Sequence, residues 1–168
     1  MNYQFRKADI SEISQIWEIL QQAIKRRKAD GSSQWQNGYP NPETILNDIS
    51  KGVGFVLADE DTIVAYSALI INDEPTYLKI IGQWLTTDDF VVVHRVAVSE
   101  KYLNQGLAQK MFGFIEDFAV RNNIRSIKVD TIFDNLAMLM VLEKLGYAYC
   151  GEISVNGNPR KAFEKVLM

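Results

Sequence analysis

One passage constrains the fold more than any other: the β-branched run Val91-Val92-Val93-His94-Arg95-Val96-Ala97-Val98 passes through a short polar turn into an amphipathic helix. The turn reads Ser99-Glu100-Lys101-Tyr102-Leu103-Asn104-Gln105-Gly106, and the helix opens at Leu107-Ala108. A strand, a turn and a helix start leave the first backbone N–H groups of the helix without intrahelical partners, aimed outward where an anion can sit. Gly106 carries no Cβ, so a ligand can approach the backbone closely there. The helix carries Leu107, Ala108, Met111, Phe112, Ile115, Phe118 and Ala119 on its expected buried side.

The rest of the chain supplies elements of the same two kinds. Tyr3 to Lys7 alternates as a first strand. Asp9 and Glu12 form a capping-box pair for a helix of about 18 residues, with Ile13, Ile16, Trp17, Leu20 and Ile24 on one face. Asp30-Gly31-Ser32-Ser33 ends it. Asn41-Pro42 is an N-cap followed by an N1 proline, and Lys51-Gly52 is a stop; the helix between them is expected to bury Ile45, Leu46 and Ile49. Phe55 to Ala58 and Thr62 to Ile71 read as strands around the turn Asp59-Glu60-Asp61. The stretch from Asn72 to Asp89 reads as an irregular excursion before the strand Phe90 to Val98. Ile127 to Thr131 is a strand, and Asp134 to Leu145 is a helix stopped by Gly146. Strands around Tyr147–Ile153 and Ala162–Leu167 flank Asn156-Gly157, the strongest short hairpin signal. The order β-α-α-β-β-β-α-β-α-β-β predicts one α/β domain over residues 1–168, a mixed sheet with helices on both faces.

Composition narrows the function classes. A net charge of −3 and no basic stripe argue against nucleic acid. The most basic segment, Lys25-Arg26-Arg27-Lys28, closes the first long helix and is expected to be a solvated helix end that complements the dipole. Cys150 is the only cysteine, so no intrachain disulfide can form; it is expected to be buried and inert, in a reducing compartment. No apolar run approaches the ~18 residues needed to span a bilayer, and the first residues lack a signal-peptide apolar core. A cytoplasmic location is the expectation.

Leu103-Asn104-Gln105-Gly106-Leu107-Ala108 resembles the pyrophosphate loop of the GNAT acetyltransferase superfamily, Arg/Gln-x-x-Gly-x-Gly/Ala. The glycine and the small residue match, while Leu103 stands where that pattern has Arg or Gln. The resemblance extends to the strand His94-Arg95-Val96-Ala97-Val98 and to Asp130-Thr131, Asn135, Met138 and Lys144-Leu145-Gly146-Tyr147, continued by Gly151. It implies a GNAT-like fold, a mostly antiparallel sheet with helices on both faces, and acetyl-CoA as cofactor. It also implies roles for residues. Leu103, Asn104, Gln105, Gly106, Leu107 and Ala108 would cradle the diphosphate through their N–H groups, and Val96, Ala97 and Val98 would hold the thioester carbonyl. Asn135 and Met138 would lie by the pantetheine arm, although Asn135 also reads as a plain N-cap.

Leu103 removes a charge-assisted contact, so weaker cofactor affinity is expected; Lys101, Lys110 and Gln105 are the candidates to compensate. A tyrosine that many members use to protonate the leaving thiolate is replaced by Leu142. His94, the only histidine, lies on the strand that borders the acetyl group in the family, and it reads either as structural or as the general base. An amine with a pKa of about 10.4 needs about 4–5 kcal/mol to lose its proton near pH 7, and a histidine near 6.5 can take it. The loop Gln34-Trp35-Gln36-Asn37-Gly38-Tyr39-Pro40 corresponds to the family's acceptor wall, which makes Trp35 and Tyr39 candidates for it. Asp88, Asp89 and Asp130 are candidates to attract a cationic amine.

The reaction implied is direct attack of a primary amine, on a small molecule or peptide, upon acetyl-CoA. No metal or membrane partner is expected, and many relatives dimerise through their C-terminal strands. Two rivals share these residues: a non-catalytic CoA-binding module, toward which Leu103 and Leu142 lean, and an enzyme with a non-amine acceptor.

Overall fold

The computed structural model describes residues Asn2–Met168. Their packing divides them into two compact units, one running up to Leu69 together with Arg95–Met111, the other Ile70–His94 with Phe112–Met168. Among the described residues there are eight strands and four α-helices.

The first unit holds β1 (Gln4–Lys7), α1 (Ile13–Ala29), α2 (Pro42–Ser50), β2 (Gly54–Asp59) and most of β3 (Thr62–Ile71). It also takes the end of β5 (Phe90–Val98) from Arg95 and the first turn of α3 (Leu107–Arg121). β1, β2 and β3 pair antiparallel in chain order. The expected caps are in place. The Asp9 carboxylate accepts from Ser11 N at 2.9 Å while Glu12 accepts from Asp9 N at 2.7 Å, and a 3-10 turn (Ile10–Glu12) leads into α1. At α2 the Asn41 side chain accepts from Thr44 N at 3.0 Å with Pro42 in the first position. α1 buries Ile16, Ile19, Leu20 and Ala23 against Ile45, Val56, Ala58, Ile63, Tyr66 and Ala97.

Two expectations for this unit fail. Leu46 is 40% exposed, and Asp48 is buried in its place. Positions 45, 48 and 49 share a helix face, and residue 46 lies about 100° away from 45. The basic end of α1 is not simply solvated: Arg26 donates to the Val98 carbonyl at 3.2 Å, and Arg27 donates to Gln34 at 2.9 Å and to Asp30 at 2.9 Å. Burial lowers the Arg26 pKa from its ordinary value. These guanidinium groups brace the neighbouring chain.

In the second unit the Phe90–Val93 part of β5 runs parallel to β6 (Ser126–Ile132). β6 pairs antiparallel with β8 (Asn158–Val166), β8 with β7 (Ala148–Val155), and β7 with a two-residue β4 (Ile81–Gly82). Asn156 and Gly157 both take positive φ, 50° and 80°, so β7 and β8 pair at once as Val155↔Asn158. β8 therefore starts four residues before the expected Ala162. Pro159 is tolerated because pairing to β6 begins only at Arg160, so no neighbour on that side asks for its missing N–H.

The excursion from Asn72 to Asp89 contains a 3-10 segment, Pro75–Lys79, and is tied down by distant side chains. The fully buried Glu164 carboxylate accepts from Leu85 N at 2.5 Å, Thr86 Oγ1 at 2.7 Å and Ser126 Oγ at 2.6 Å. Lys128 stacks its ammonium over Trp84 and Phe90. Tyr77, Val92, Ile153 and Ala162 form the core beneath it. α3 buries Leu107, Met111, Phe112, Ile115 and Ala119, with Ala108 and Phe118 half-buried; α4 (Leu136–Lys144) buries Leu142. Cys150 is buried, and burial raises its thiol pKa, which suits an unreactive role. Mixed α/β with a mostly antiparallel set of strands is the predicted class. Among the described residues no helix is long and apolar enough to cross a membrane.

Candidate active site

The turn before α3 is built from its backbone outward. Ser99–Tyr102 closes a 3-10 turn, with Tyr102 N donating to Ser99 O at 2.9 Å and Leu103 N to Glu100 O at 3.4 Å. Asn104 and Gly106 then take positive φ, 61° and 73°, and the helix begins when Lys110 N reaches Gly106 O at 3.0 Å. Six successive N–H groups, Asn104 to Gln109, have no hydrogen-bond partner among the described residues. A Cβ built on Gly106 would meet nothing within 4 Å. This is an open cradle of fixed N–H dipoles at a helix N-terminus, and its chemistry fits a diphosphate. The entry to the cradle is held by α1, where Gln22 Oε1 accepts from Glu100 N at 2.8 Å and Arg26 grips Val98. Of the candidate compensating residues, Lys110 sets its ammonium over the Tyr3 ring at 5.1 Å, while Lys101 and Gln105 are exposed.

His94 is the first residue of β5 beyond the register with β6, which ends at Val93↔Val129. Its Nε2 lies 2.8 Å from Glu74 Oε2, and Thr76 Oγ1 donates to the other Glu74 oxygen at 2.7 Å. The hydrogen bond from His94, against the opposing effect of burial and helped by Thr76, holds the Glu74 carboxyl down at about 2. A depressed carboxylate stabilises the fold fully above its ordinary value of 4.5, and that contribution is lost as the pH falls toward 2. Asp130 does not serve as a free anion. Tyr77 donates to it at 2.5 Å and Arg160 pairs with it at 3.3 Å. Asp88 and Asp89 are exposed, and Asp89 accepts from Asn72 Nδ2 at 2.9 Å.

Arg95, which takes φ 56° within β5, is the residue that sequence reasoning missed. Its guanidinium grips Asp48 through Nε–Oδ2 at 3.0 Å and NH2–Oδ1 at 2.6 Å, and NH1 donates to the Tyr39 hydroxyl at 2.6 Å. Tyr66, fully buried, donates to Asp48 at 2.5 Å. The signal was available: a charge inside an apolar strand must find a partner.

Tyr39 and Trp35 are therefore used differently. Tyr39 is turned to Arg95, whereas Trp35 packs on the α1 core and lines a cleft of about 330 Å³ with Trp17, Ile24, Gln36, Gly38, Pro40 and Asn41. The loop that carries them is braced rather than adaptable, since Gln36 Nε2 donates to Ile24 O at 2.9 Å and Asn41 Nδ2 to Gly38 O at 3.1 Å. Asn135 caps α4 by accepting from Met138 N at 3.2 Å, and both residues are half-buried. Leu142 is fully buried, so its position offers no acid to any ligand. Val96 is half-buried, and Ala97 and Val98 are buried.

The sequence matches the profile of the Acetyltransferase (GNAT) family over residues 16–147. A GNAT-family acetyltransferase from Streptococcus agalactiae is similar at 33% identity and a TM-score of 0.90, covering 99% of this chain and 96% of that one. One from Listeria monocytogenes shares the fold at 19% identity and a TM-score of 0.78, covering 98% and 95%. A Salmonella typhimurium protein solved with its cofactor acetyl-CoA does so at 14% identity and a TM-score of 0.69, covering 100% and 95%. No protein of curated function matches the sequence. The chain belongs to the GNAT acetyltransferase family, which uses acetyl-CoA.

Proposed function

We propose that this chain is a single-domain N-acetyltransferase that moves an acetyl group to a primary amine of a small molecule or peptide. The observation that carries this reading is the run of partnerless N–H groups around Gly106 in a chain of this family. Leu103 to Ala108 would hold the diphosphate, chiefly through the N–H groups from Asn104 onward, and Asn135 and Met138 the pantetheine arm. Bound acetyl-CoA supplies an acetyl group activated as a thioester. The N–H groups near Val96, Ala97 and Val98 hold the carbonyl and stabilise charge developing on its oxygen. His94 takes the proton of the acceptor ammonium, which frees the nitrogen lone pair for attack. Trp35 and its cleft, with Tyr39 pinned by Arg95, wall the acceptor.

His94→Gln tests the base. kcat/KM should fall by about 10² or more and lose its acid limb. A variant with the wild-type pH profile would return His94 to a structural role. Trp35→Ala should raise the acceptor KM about tenfold, equivalent to about 1.4 kcal/mol, and leave acetyl-CoA affinity nearly unchanged. Steady-state kinetics with each substrate varied in turn reads both; a loss of cofactor affinity would remove Trp35 from the acceptor site.

A further inference from the structure

We propose that the cleft beside Trp35 selects its acceptor by an uncharged apolar body, so that the amines this chain takes are arylalkyl- or branched alkylamines rather than amino acids, diamines or amino sugars. The inference rests on the reading of this cleft as the acceptor wall. All of its lining residues belong to the first unit. Its volume of about 330 Å³ lies at the small end of ligand pockets, with room for one ring-sized body and a short amine arm.

The lining decides the chemistry. Apart from Gly38 it consists of Trp17, Ile24, Trp35, Pro40, Gln36 and Asn41, and none of these side chains ionises. Trp17 and Ile24 stand seven positions apart on α1, which returns them to nearly the same helix face at a spacing of about 10 Å. Trp17 and Trp35 both pack on the α1 core, so two indoles, an isoleucine and a proline share the cleft. The two amides are engaged with their own chain. Gln36 Nε2 donates to Ile24 O at 2.9 Å and to Gln34 O at 3.0 Å, while Asn41 accepts from Thr44 N at 3.0 Å and donates to Gly38 O at 3.1 Å. A hydroxyl-rich body would therefore give up water for a wall with few free hydrogen-bonding groups, and a carboxylate or second ammonium would meet no opposite charge. Arg95, the guanidinium that reaches this loop, is already held by Asp48 and Tyr39. An apolar body loses no polar contact and covers aromatic surface. The backbone fits a side chain placed for contact. Trp35 takes φ 61°, a left-handed conformation uncommon for a bulky residue, and the bonds from Gln36 brace the loop beside it.

The chain has three tryptophans, which gives the test a readout besides activity. With CoA bound, so that no transfer occurs, phenethylamine should move the ¹⁵N-detected indole N–H signals of Trp17 and Trp35. The Trp84 signal should stay, since that N–H donates to Tyr77 O at 2.9 Å in the second unit. With acetyl-CoA, kcat/KM for phenethylamine and isoamylamine should exceed that for para-carboxyphenethylamine, cadaverine and glucosamine by about tenfold or more. Gln36→Lys, which brings a cation to the lining, should raise kcat/KM for the carboxylate amine by about tenfold, a gain that misfolding cannot produce. Trp17→Leu should lower kcat/KM for phenethylamine about fivefold and leave that for ethylamine, whose body is too small to cover an indole, within about twofold. Thiol release from apolar and charged amines alike, or a preference for the carboxylate or the diamine, would overturn the substrate class while leaving amine acetylation standing. Unmoved Trp17 and Trp35 signals under saturating phenethylamine would place acceptor bodies elsewhere and overturn it too. Thiol release with no amine at all would instead overturn the acetyltransferase reading on which the class rests.

Discussion

Gly106→Val should abolish measurable acetyl-CoA binding, a loss of about a hundredfold or more, while the protein still folds. At φ 73° a β-branched residue is strained, by roughly 1–2 kcal/mol. That strain is tolerable for folding because a Cβ at this position meets nothing within 4 Å. The binding loss follows from the proposed role of this turn: a branched side chain at 106 adds bulk within the run Asn104 to Gln109, whose N–H groups would hold the diphosphate. Gly106→Ala should fall between the two, since a methyl blocks less of the approach. Calorimetric titration with acetyl-CoA, alongside a thermal melt, separates binding from stability. Equal affinities in wild type and Gly106→Val would remove this turn from the cofactor site.

Arg95→Ala should destabilise the fold by about 3–5 kcal/mol, the range expected when one partner of a buried ion pair is removed. Asp48, with 7% of its side chain exposed, would keep Tyr66 as a donor but lose both guanidinium bonds. For a chain of this length the melting temperature should drop by roughly 10 °C. The exchange of both partners for neutral residues, Arg95→Met with Asp48→Asn, should recover part of that loss, because no buried charge is then left alone. The same substitution releases Tyr39, so in Arg95→Ala the acceptor KM should rise beyond what the stability loss explains. An unshifted melt would mean that the Arg95–Asp48 pair contributes nothing net to the fold.

What was legible in the chain is what local chemistry decides. Asp9 with Glu12, Asn41-Pro42 and Asn156-Gly157 signal caps and a turn within a few residues, and each stands where expected. The strand Phe90–Val98 and the turn at Gly106 were legible for the same reason. The rest depends on partners far along the chain. Glu164 fastens Leu85 and Thr86 from 79 and 78 residues away, and nothing local marks the stretch from Asn72 to Asp89 as ordered. Asp48 is drawn inward by Arg95, 47 residues on, which reverses the burial expected of Leu46. Gly82 and Gly151 face each other so closely that a Cβ on either would strike the other's strand, a constraint visible only once β4 and β7 are paired. The site divides in the same way. The backbone turn at Gly106 was readable, but the side chains in contact with His94 and Tyr39 were not, because Glu74 and Arg95 lie far from them along the chain.

The proposed function is transfer of acetyl from acetyl-CoA to an amine. Incubation of the purified protein with acetyl-CoA and a panel of primary amines, followed by free thiol and by product mass, tests it most directly. Amine-dependent thiol release is expected, matched by a product heavier by one acetyl group, lost in Gly106→Val and diminished in His94→Gln. Tight acetyl-CoA binding without thiol release for any amine, or an acetylated product on oxygen rather than nitrogen, would contradict it.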